Sequence, residues 1–306
     1  MINFVIPIIL YFFCIYALKK MIPIFKKKSF VDKPSFRSNH KSSVPKGLGI
    51  IIIPSIIFAT FITFNLQDSL DHKWIIFLIS SMLLSIVSFI DDIKNLPAKS
   101  RLVFQSIVVL ISIFFFKEDI VFFLEFNGIV FINEYFSFYL LAFAIFILWI
   151  WIINLFNFMD GMDGITSIQI IVFSILLNFL GLLNKAEINS QYLSLILLSA
   201  FLAFYKYNKS PALAFLGDSG SIPLGYIVGF ILFDSMTKFE TFLALLIILL
   251  YYFLDSTITL IKRFIKGENI FVAHSDHFYQ KMIRKGKSHS QVLKIILILW
   301  FFLGGL

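Results

Sequence analysis

Cysteine is almost absent from this chain of 306 residues, since Cys14 is the only one. A single cysteine excludes an internal disulfide and a cysteine-based metal centre. Charged residues are also scarce, at 14%, whereas soluble proteins carry about 25%. Together with 59% hydrophobic residues and a mean hydropathy of +0.92, this scarcity excludes an ordinary soluble enzyme and indicates a polytopic membrane protein.

No lysine or arginine occurs in residues 154–164, NLFNFMDGMDG, which lie between two long apolar runs. The segment holds the amide of Asn157 and the acids Asp160 and Asp163, which are three residues apart and would share one face of a helical turn. An acid at a membrane surface costs free energy unless it has a partner or a ligand. The segment is therefore the first candidate for substrate binding.

Hydropathy predicts an all-α polytopic fold with about ten transmembrane helices, because each apolar run is close to the length that a bilayer core requires. The runs are 3–24, 48–65, 74–90, 102–116, 136–153, 165–183, 191–206, 219–233, 241–261 and 290–306. We expect one transmembrane catalytic domain over residues 1–306. A small β-hairpin is predicted on the outer face at 121–132, where Asn127-Gly128 separates two apolar runs.

The loops between these runs alternate in basic charge. Residues 19–46 hold nine Lys/Arg and residues 262–287 hold seven, while the opposite set holds only Lys73, Lys117, Lys185 and Lys238. The positive-inside rule then places the first set in the cytoplasm and both chain ends outside. The net charge of +8 is explained by this sidedness, so no nucleic-acid partner is expected.

Candidate functional residues collect on the predicted cytoplasmic side. Asp91 and Asp92 close a predicted span directly, and two adjacent carboxylates call for a metal or a basic partner. Arg101 follows in the same motif and could bind phosphate or anchor the next span. The alternative for the two acids is an ordinary interfacial helix end, although acids oppose the dipole at a helix C-terminus.

Asp218 lies in AFLGDSGSIPLG, residues 214–225, at the predicted start of a span. A carboxylate beside hydroxyl groups and open backbone suits a hard cation such as Mg²⁺. The alternative is a helix N-cap, and the two roles are compatible.

Three further groups of residues complete the predicted set. The first cytoplasmic loop offers Lys46 together with Arg37, His40 and Lys41, either for substrate or for lipid headgroups. Asp255 lies inside an apolar run, which by default marks a functional site. His274 and His277 are a weak metal signal on their own, so contacts to phosphate are the more natural interpretation.

The remaining polar residues receive ordinary assignments. His289 is expected to lie in a loop. The acids of the outer side are expected in scattered polar loops; they include Asp68, Glu118, Glu187 and Asp234.

Carboxylates for Mg²⁺, basic groups and a membrane-embedded site together indicate phosphoryl chemistry on a lipid phosphate and a water-soluble phosphorylated partner. The motifs resemble those of the polyprenyl-phosphate N-acetylhexosamine-1-phosphate transferases, the bacterial glycosyltransferase family 4, in the same order. They are DKPSFRSNH…PKGLG (32–49), DDIKNLPAKSR (91–101), NLFNFMDGMDG (154–164), FLGDSGS (215–221) and AHSDHFYQ (273–280), with Asp255 and Arg263 matching as well.

This resemblance implies transfer of a sugar-1-phosphate from a UDP-N-acetylhexosamine to undecaprenyl phosphate, with release of UMP and with Mg²⁺, or alternatively Mn²⁺, as cofactor. It implies the bacterial inner membrane, a site that faces the cytoplasm, and contacts with membrane lipids. Homodimers occur among such proteins. The pattern H-x-x-H-x-Y-Q in residues 273–280, without a run of consecutive histidines, is similar to enzymes that start O-antigen (lipopolysaccharide) or other surface glycans rather than to the phospho-MurNAc-pentapeptide transferases.

The resemblance also implies residue roles. Asp218 would ligate Mg²⁺, and Asp91 and Asp92 would act at the acceptor phosphate or the metal, with Asp92 as the second metal ligand. The substrate-binding set would be Asn157, Asp160 and Asp163 for the nucleotide-sugar, Phe215 for stacking on uracil, and His274, His277, Arg101, Arg263 and Lys46 for phosphates.

Two mechanistic alternatives stay open at this point. The second pKa of a phosphate monoester is about 6, so the acceptor has little proton to lose and Asp91 is expected to orient it rather than act as a base. A covalent phospho-aspartate intermediate is the other route. A transporter or flippase for an anionic lipid or sugar phosphate is the competing function, and a structural scaffold would explain none of the motifs.

Overall fold

The structure is a computed structural model, which describes residues 2–32, 43–129, 131–269 and 274–304, the outermost two at each end by backbone alone. Within these ranges the chain is predominantly helical. The helices are α1 (Ile2–Lys27), α2 (Gly49–Leu66), α3 (His72–Lys94), α4 (Ala98–Phe114), α5 (Lys117–Phe126), α6 (Glu134–Met159), α7 (Ile165–Leu182), α8 (Ile188–Asn208), α9 (Asp218–Asp234), α10 (Phe239–Ile265), α11 (Phe278–Arg284) and α12 (His289–Gly304).

Each of the ten predicted spans coincides with one of these helices. Eight of them are long and apolar enough to cross a membrane, whereas α4 and α12, with 17 and 16 residues, are shorter. The agreement has a simple cause. Because a lipid environment offers the backbone no hydrogen-bond partners, an apolar run of this length must satisfy its own amides as a helix.

The predicted β-hairpin is wrong in its position. Residues 121–126 of that segment belong to α5, and the Asn127 side chain donates a hydrogen bond to the carbonyl of Phe123 at 2.8 Å. The Asn-Gly pair therefore ends a helix instead of turning a hairpin; Val130 lies outside the described residues. A two-stranded antiparallel sheet does exist elsewhere, between β1 (Val31–Asp32) and β2 (Val44–Pro45).

Helix α9 is the centre of the bundle. Its apolar stretch is 94% buried, against 22% for α1 at the periphery, and it packs on α2, α3 and α6. Glycine makes the closest approach possible: a Cβ on Gly49 would lie 2.2 Å from the backbone nitrogen of Gly220. The N-terminal ends of α2 and α9 thus touch through bare backbone, which small residues permit between membrane helices.

The far end of α9 differs from expectation. Asp234, which we expected in a polar loop, ends α9 and is only 3% exposed. Lys73 lies 2.7 Å from its carboxylate, and the hydroxyl of Ser190 donates a hydrogen bond to it at 2.7 Å. A buried carboxylate is tolerated here because a cation and a donor compensate its lost hydration.

The contact between Gly49 and Gly220 generates a prediction about stability. We expect Gly49→Ala to lower the melting temperature in detergent, because the added methyl group meets rigid backbone and overpacking costs about 1–3 kcal/mol. Gly181→Ala is the matched control. The three atoms nearest to its Cβ would all belong to the side chain of Gln191, which can rotate away, so its loss should be smaller. Equal losses for the two variants would contradict this description of the helix contact.

Candidate active site

Asp92 joins the end of α3 to the start of α9. Its Oδ1 accepts the backbone N–H of Asp218 at 3.1 Å, and its Oδ2 accepts that of Ser219 at 2.9 Å. These are amides of the first turn of α9, which have no partner within the helix. The dipole of α3 disfavours an acid at this position, but the positive end of α9 favours it. Asp92 therefore acts as a cap that α9 receives from another helix.

Lys46 is brought to the same point by backbone pairing. The N–H of Phe215 donates to the carbonyl of Pro45 at 2.8 Å, and the N–H of Gly49 donates to that of Leu216 at 2.8 Å. This pairing holds residues 45–49 along residues 215–216. Gly217 follows with φ of 75°, and a Cβ there would lie 2.7 Å from the backbone nitrogen of Gly47. Only glycine allows the two segments to approach so closely.

The ammonium group of Lys46 then lies 3.0 Å from Asp92 and 3.5 Å from Asp218. Burial alone would lower the pKa of Lys46, but the negative charges of Asp218 and Asp92 outweigh that effect and raise it. Lys46 therefore stays positively charged at neutral pH.

Arg101, in the first turn of α4, supplies the second cation. Its Nη1 lies 2.9 Å from Asp91 Oδ2 and 3.1 Å from Asp218 Oδ2. The other oxygen of Asp91 accepts the backbone N–H of Leu96 at 2.6 Å. The amide of Asn157 lies within hydrogen-bonding reach of Asp218. Lysine, arginine and three carboxylates thus converge from α3, α4, α9 and the first loop, as the motifs predicted.

Asp160 lies just after α6 and beside this cluster. Burial raises its pKa from an ordinary 3.8 to about 7; the nearby hydroxyl of Thr166 works against the shift, and the nearby charge of Asp218 adds to it. The surrounding protein groups therefore stabilise the ionised carboxylate of Asp160 only in part at neutral pH.

The carboxylate of Asp163, three residues later, has several protein partners. Its Oδ2 lies 3.1 Å from Nδ1 of His289 and accepts the backbone N–H of Ala212 at 3.2 Å. Burial would raise the pKa of Asp163, but these hydrogen bonds and one from Ser210 hold it below its ordinary range. The assignment of His289 to a loop was wrong: it begins α12 and is buried. Its partner lies 126 residues away in the chain, so no local pattern could indicate the pair.

The histidine loop reaches the site from the other side. The ring of His277 stacks between those of His274 and Tyr279, at centroid distances of 5.0 and 5.7 Å. Burial, with smaller effects from the neighbouring His277 and Arg263, lowers the pKa of His274 to about 4. The Tyr279 hydroxyl donates to the carbonyl of Phe158 at 3.1 Å, which fixes the loop against residues 154–164.

Arg263 and Phe215 are located but not assigned a ligand. Arg263 is engaged within its own loop, with its Nη1 2.8 Å from Glu268 and 2.5 Å from Asp276. Phe215 is half-buried and contributes its backbone to the pairing with Pro45. Their contacts to phosphate and uracil stay predictions, and Arg37, His40 and Lys41 lie outside the described residues.

The oxygen donors suit a magnesium ion. In the described part of the chain, no group of three or more His, Cys, Asp and Glu side chains is arranged to hold a metal. Mg²⁺, however, is usually bound by one or two carboxylates together with phosphates and water. The carboxylates of Asp91 and Asp218 already converge on one cationic nitrogen, so this pair fits. Asp92 lies beside this pair, and its two oxygens accept amides of α9.

A small apolar groove between α3, α4 and α9 borders this pair. Asp91 and Arg101 are among its lining residues. Its other lining residues are mainly apolar: Leu84, Val87, Ser88, Phe104, Gln105 and Ile222. Charged groups and an apolar wall suit an anionic group that carries a hydrocarbon chain.

Comparison with known proteins agrees with this geometry. A sequence model of glycosyl transferase family 4 matches residues 74–236. A probable undecaprenyl-phosphate N-acetylglucosaminyl 1-phosphate transferase of Bacillus subtilis is 25% identical over 276 residues, which are 89% of this chain and 74% of the relative. A phospho-N-acetylmuramoyl-pentapeptide-transferase of Chlamydia trachomatis serovar L2 is 30% identical over 247 residues, 71% of each chain.

A second protein of the latter name, from Petrotoga mobilis, is 26% identical over 97% of this chain and 94% of its own length. The match of the family model extends from the start of α3 to the end of α9 and so includes three of the clustered acids and Arg101. With more than half of its residues in that match, this multi-pass membrane protein belongs to glycosyl transferase family 4.

Proposed function

We propose that the protein transfers an N-acetylhexosamine-1-phosphate from a UDP-sugar to undecaprenyl phosphate and releases UMP. The observation that carries this proposal is the convergence of Asp91, Asp218, Lys46 and Arg101 beside an apolar groove that Asp91 and Arg101 line. Such a site can hold a phosphate while its hydrocarbon chain follows the groove into the membrane. The charge asymmetry of the loops supports a cytoplasmic orientation.

In the proposed reaction, an oxygen of the acceptor phosphate forms a bond to the β-phosphorus of the donor. The bond from that phosphorus to the bridging oxygen breaks, and UMP leaves with the electron pair. Arg101 borders the groove and would neutralise the acceptor, while Lys46 would face the donor diphosphate. Because the acceptor is largely dianionic at neutral pH, positioning and charge neutralisation would supply most of the rate.

The contacts of Asp91 favour a direct transfer. One of its oxygens accepts the N–H of Leu96 and the other pairs with Arg101, so neither oxygen is a free nucleophile for a phospho-aspartate. Asp91 and Asp218 would hold Mg²⁺, which when bound would polarise the donor diphosphate and stabilise the departing phosphate. By capping α9, Asp92 would hold the carboxylate of Asp218 next to that of Asp91.

The two acids of residues 154–164 would have different duties. Asp163 is saturated by His289, Ala212 and Ser210, so it would shape the segment rather than contact the donor. Asp160 has no such set of partners and carries an ionisation that the fold disfavours. The ionised acid lowers the stability of the folded protein at this position, so it would be retained because it binds the substrate. Asn157 and Phe215 would complete the nucleotide side of the site.

The pathway is also a proposal. The loop that contains His274 and His277 has no run of consecutive histidines, which supports an enzyme that starts O-antigen or another surface glycan. Relatives with names of both branches match this chain. The competing function, a transporter, relied on the acid Asp255 within a span. That acid is fully hydrogen-bonded to protein groups, so no specific observation favours transport.

The first test is enzymatic. Purified protein with undecaprenyl phosphate, Mg²⁺ and a panel of UDP-N-acetylhexosamines should release UMP with at least one donor. Chelation of the metal should abolish release, and Mg²⁺ should restore it. Absence of UMP with every donor, together with ion-coupled uptake of a sugar phosphate into vesicles, would favour the transporter instead.

A second prediction concerns the metal-binding acids. We expect Asp218→Asn to lower turnover about 100-fold or more, because it removes a charge that would act on the diphosphate in the transition state. Glu240→Gln is the matched control, since Glu240 is 73% exposed at the other end of the bundle and pairs with Lys185. Its activity should remain within about 2-fold of the parent, as expected for an exposed pair. Similar losses in both variants would count against the assignment.

A third prediction separates Asp160 from Asp163 by their pH dependence. The raised pKa of Asp160 means that parent stability falls as pH rises from about 4 to 7. Asp160→Asn should therefore melt higher than the parent at about pH 8, with the gain shrinking towards about pH 4, and its KM for the donor should rise about 10-fold.

The lowered pKa of Asp163 has the opposite sign, because its stabilisation is present above the ordinary pKa and lost as pH falls through the folded value. Asp163→Asn should melt lower than the parent at neutral pH, with a difference that shrinks in acid. Thermal denaturation in detergent across this pH range measures both effects. If both substitutions shifted the melting temperature in the same direction at neutral pH, the different roles proposed for Asp160 and Asp163 would be refuted.

A further inference from the structure

Asp255 is a carboxylate buried completely within α10, a membrane-spanning helix, and it lies away from the Asp91–Asp218 pair. Its side chain has no exposed surface. Several groups of the protein donate hydrogen bonds to its carboxylate. The hydroxyl of Tyr251 donates to Oδ2 at 3.1 Å, and the backbone N–H groups of Phe278 and Tyr279 donate at 2.9 and 3.3 Å. The hydroxyl of Thr259 lies 3.5 Å from Oδ1, and Nδ1 of His277 lies 3.1 Å from the same oxygen.

That last contact determines the state of the His277 ring. An ionised carboxylate only accepts hydrogen bonds, so the proton between the two groups belongs to Nδ1. Nε2 is then the one ring nitrogen left for a ligand. The His277 side chain as a whole is 4% exposed. The ring plane is fixed separately, by stacking between His274 and Tyr279.

The environment of the ring places His277 beside the segment proposed to bind the donor. The ring of Phe158 lies 6.3 Å from that of His277, and Phe158 stands between Asn157 and Asp160 in the segment proposed to bind the donor. The Tyr279 hydroxyl is bonded to the carbonyl of the same Phe158. The loop with His277 is thus attached to the donor-binding segment at one point and to α10 through Asp255 at another.

We propose that Asp255 is a positioning residue for the transfer reaction. It acts through His277 by holding the ring in the Nδ1-protonated form, with Nε2 presented to the phosphates of the donor. This inference rests on the proposed function, because it requires a donor with phosphate groups beside residues 157–160. It gives a specific duty to an intramembrane acid that the metal and the acceptor do not explain.

A purely structural role is the competing explanation, since Asp255 also accepts the first two amides of α11. The two explanations differ in what they require of His277. If Asp255 serves only to fold the loop, its loss should have the same cost whether or not residue 277 has an imidazole ring. If it acts through the ring, the cost should disappear with the ring.

The first experiment uses the unmodified protein and needs no turnover. Nitrogen-15 NMR of histidine-labelled protein in detergent distinguishes the two neutral tautomers, and His277→Asn identifies the signal by its disappearance. The expected result at alkaline pH, where the ring is neutral, is protonation at Nδ1. A ring protonated at Nε2 instead would overturn the inference, whether or not the protein is active.

The second experiment is a double-mutant cycle on turnover. Asp255→Asn offers one acceptor oxygen where the carboxylate offers two, so Nδ1 of His277 must compete with the amides of Phe278 and Tyr279. Loss of a carboxylate that orients a histidine typically costs about 10–100-fold. His277→Asn keeps an amide that can still donate to Asp255 but has no atom at the position of Nε2, so a comparable loss is expected with little change in melting temperature.

In the His277→Asn background, Asp255→Asn should cost less than about 2-fold more, since residues that act as one unit are not additive. Tyr251→Phe is the control: it removes another donor to the same carboxylate and should change turnover less than about 2-fold. Losses that multiply fully in the double variant would overturn the inference, even if UMP release confirms the transferase. If no donor yields UMP, the proposed function fails, and the NMR result still decides whether Asp255 fixes the ring.

Discussion

The hydrogen bonds from the start of α9 to Asp92 are the contact on which the site depends. Asp218 is the first residue of α9, and its carboxylate can meet Asp91, Arg101 and Lys46 only if that helix begins at this height in the bundle. The cap from Asp92 sets the height, because it binds the backbone of Asp218 and Ser219 directly. The bare contact between Gly49 and Gly220 sets the distance to α2. An acid that its own helix disfavours is stabilised by the neighbouring helix.

The same logic extends to the other acids at this end of the bundle. Each buried carboxylate in a low-dielectric interior needs donors or cations, and here nearly every one has a separate set. Asp92 receives amides of α9, Asp163 receives His289 and Ala212, and Asp255 receives His277 and two amides of α11. Asp160 is compensated only in part, since burial raises its pKa to about 7. This partial compensation makes Asp160 a candidate for contact with a ligand.

Hydropathy and charge were enough to predict the ten apolar helices and the convergence of the motifs, because a membrane enforces both helices and sidedness. They could not predict which side chains pair. Asp163 with His289 and Arg101 with Asp218 are joined across more than a hundred residues, and no local pattern encodes such a distance. The error at Asn127-Gly128 has a different origin. The pair is a good turn signal, but a short amphipathic segment at an interface satisfies its amides equally well as α5, with Asn127 bonded back to Phe123.

The short helix α11 shows why a loop needs contacts from a membrane-spanning helix to stay ordered. Seven residues are too few to form a stable helix alone, since nucleation is costly and each further residue adds one hydrogen bond. The order of α11 must therefore come from tertiary contacts, and Asp255 provides them from inside α10, a span packed against α6, α7 and α12. A histidine that was fixed only by its own loop would sample several orientations at the moment of reaction. Attached to a carboxylate within a rigid span, its free nitrogen is held in place before the substrate arrives, which is the condition for efficient positioning.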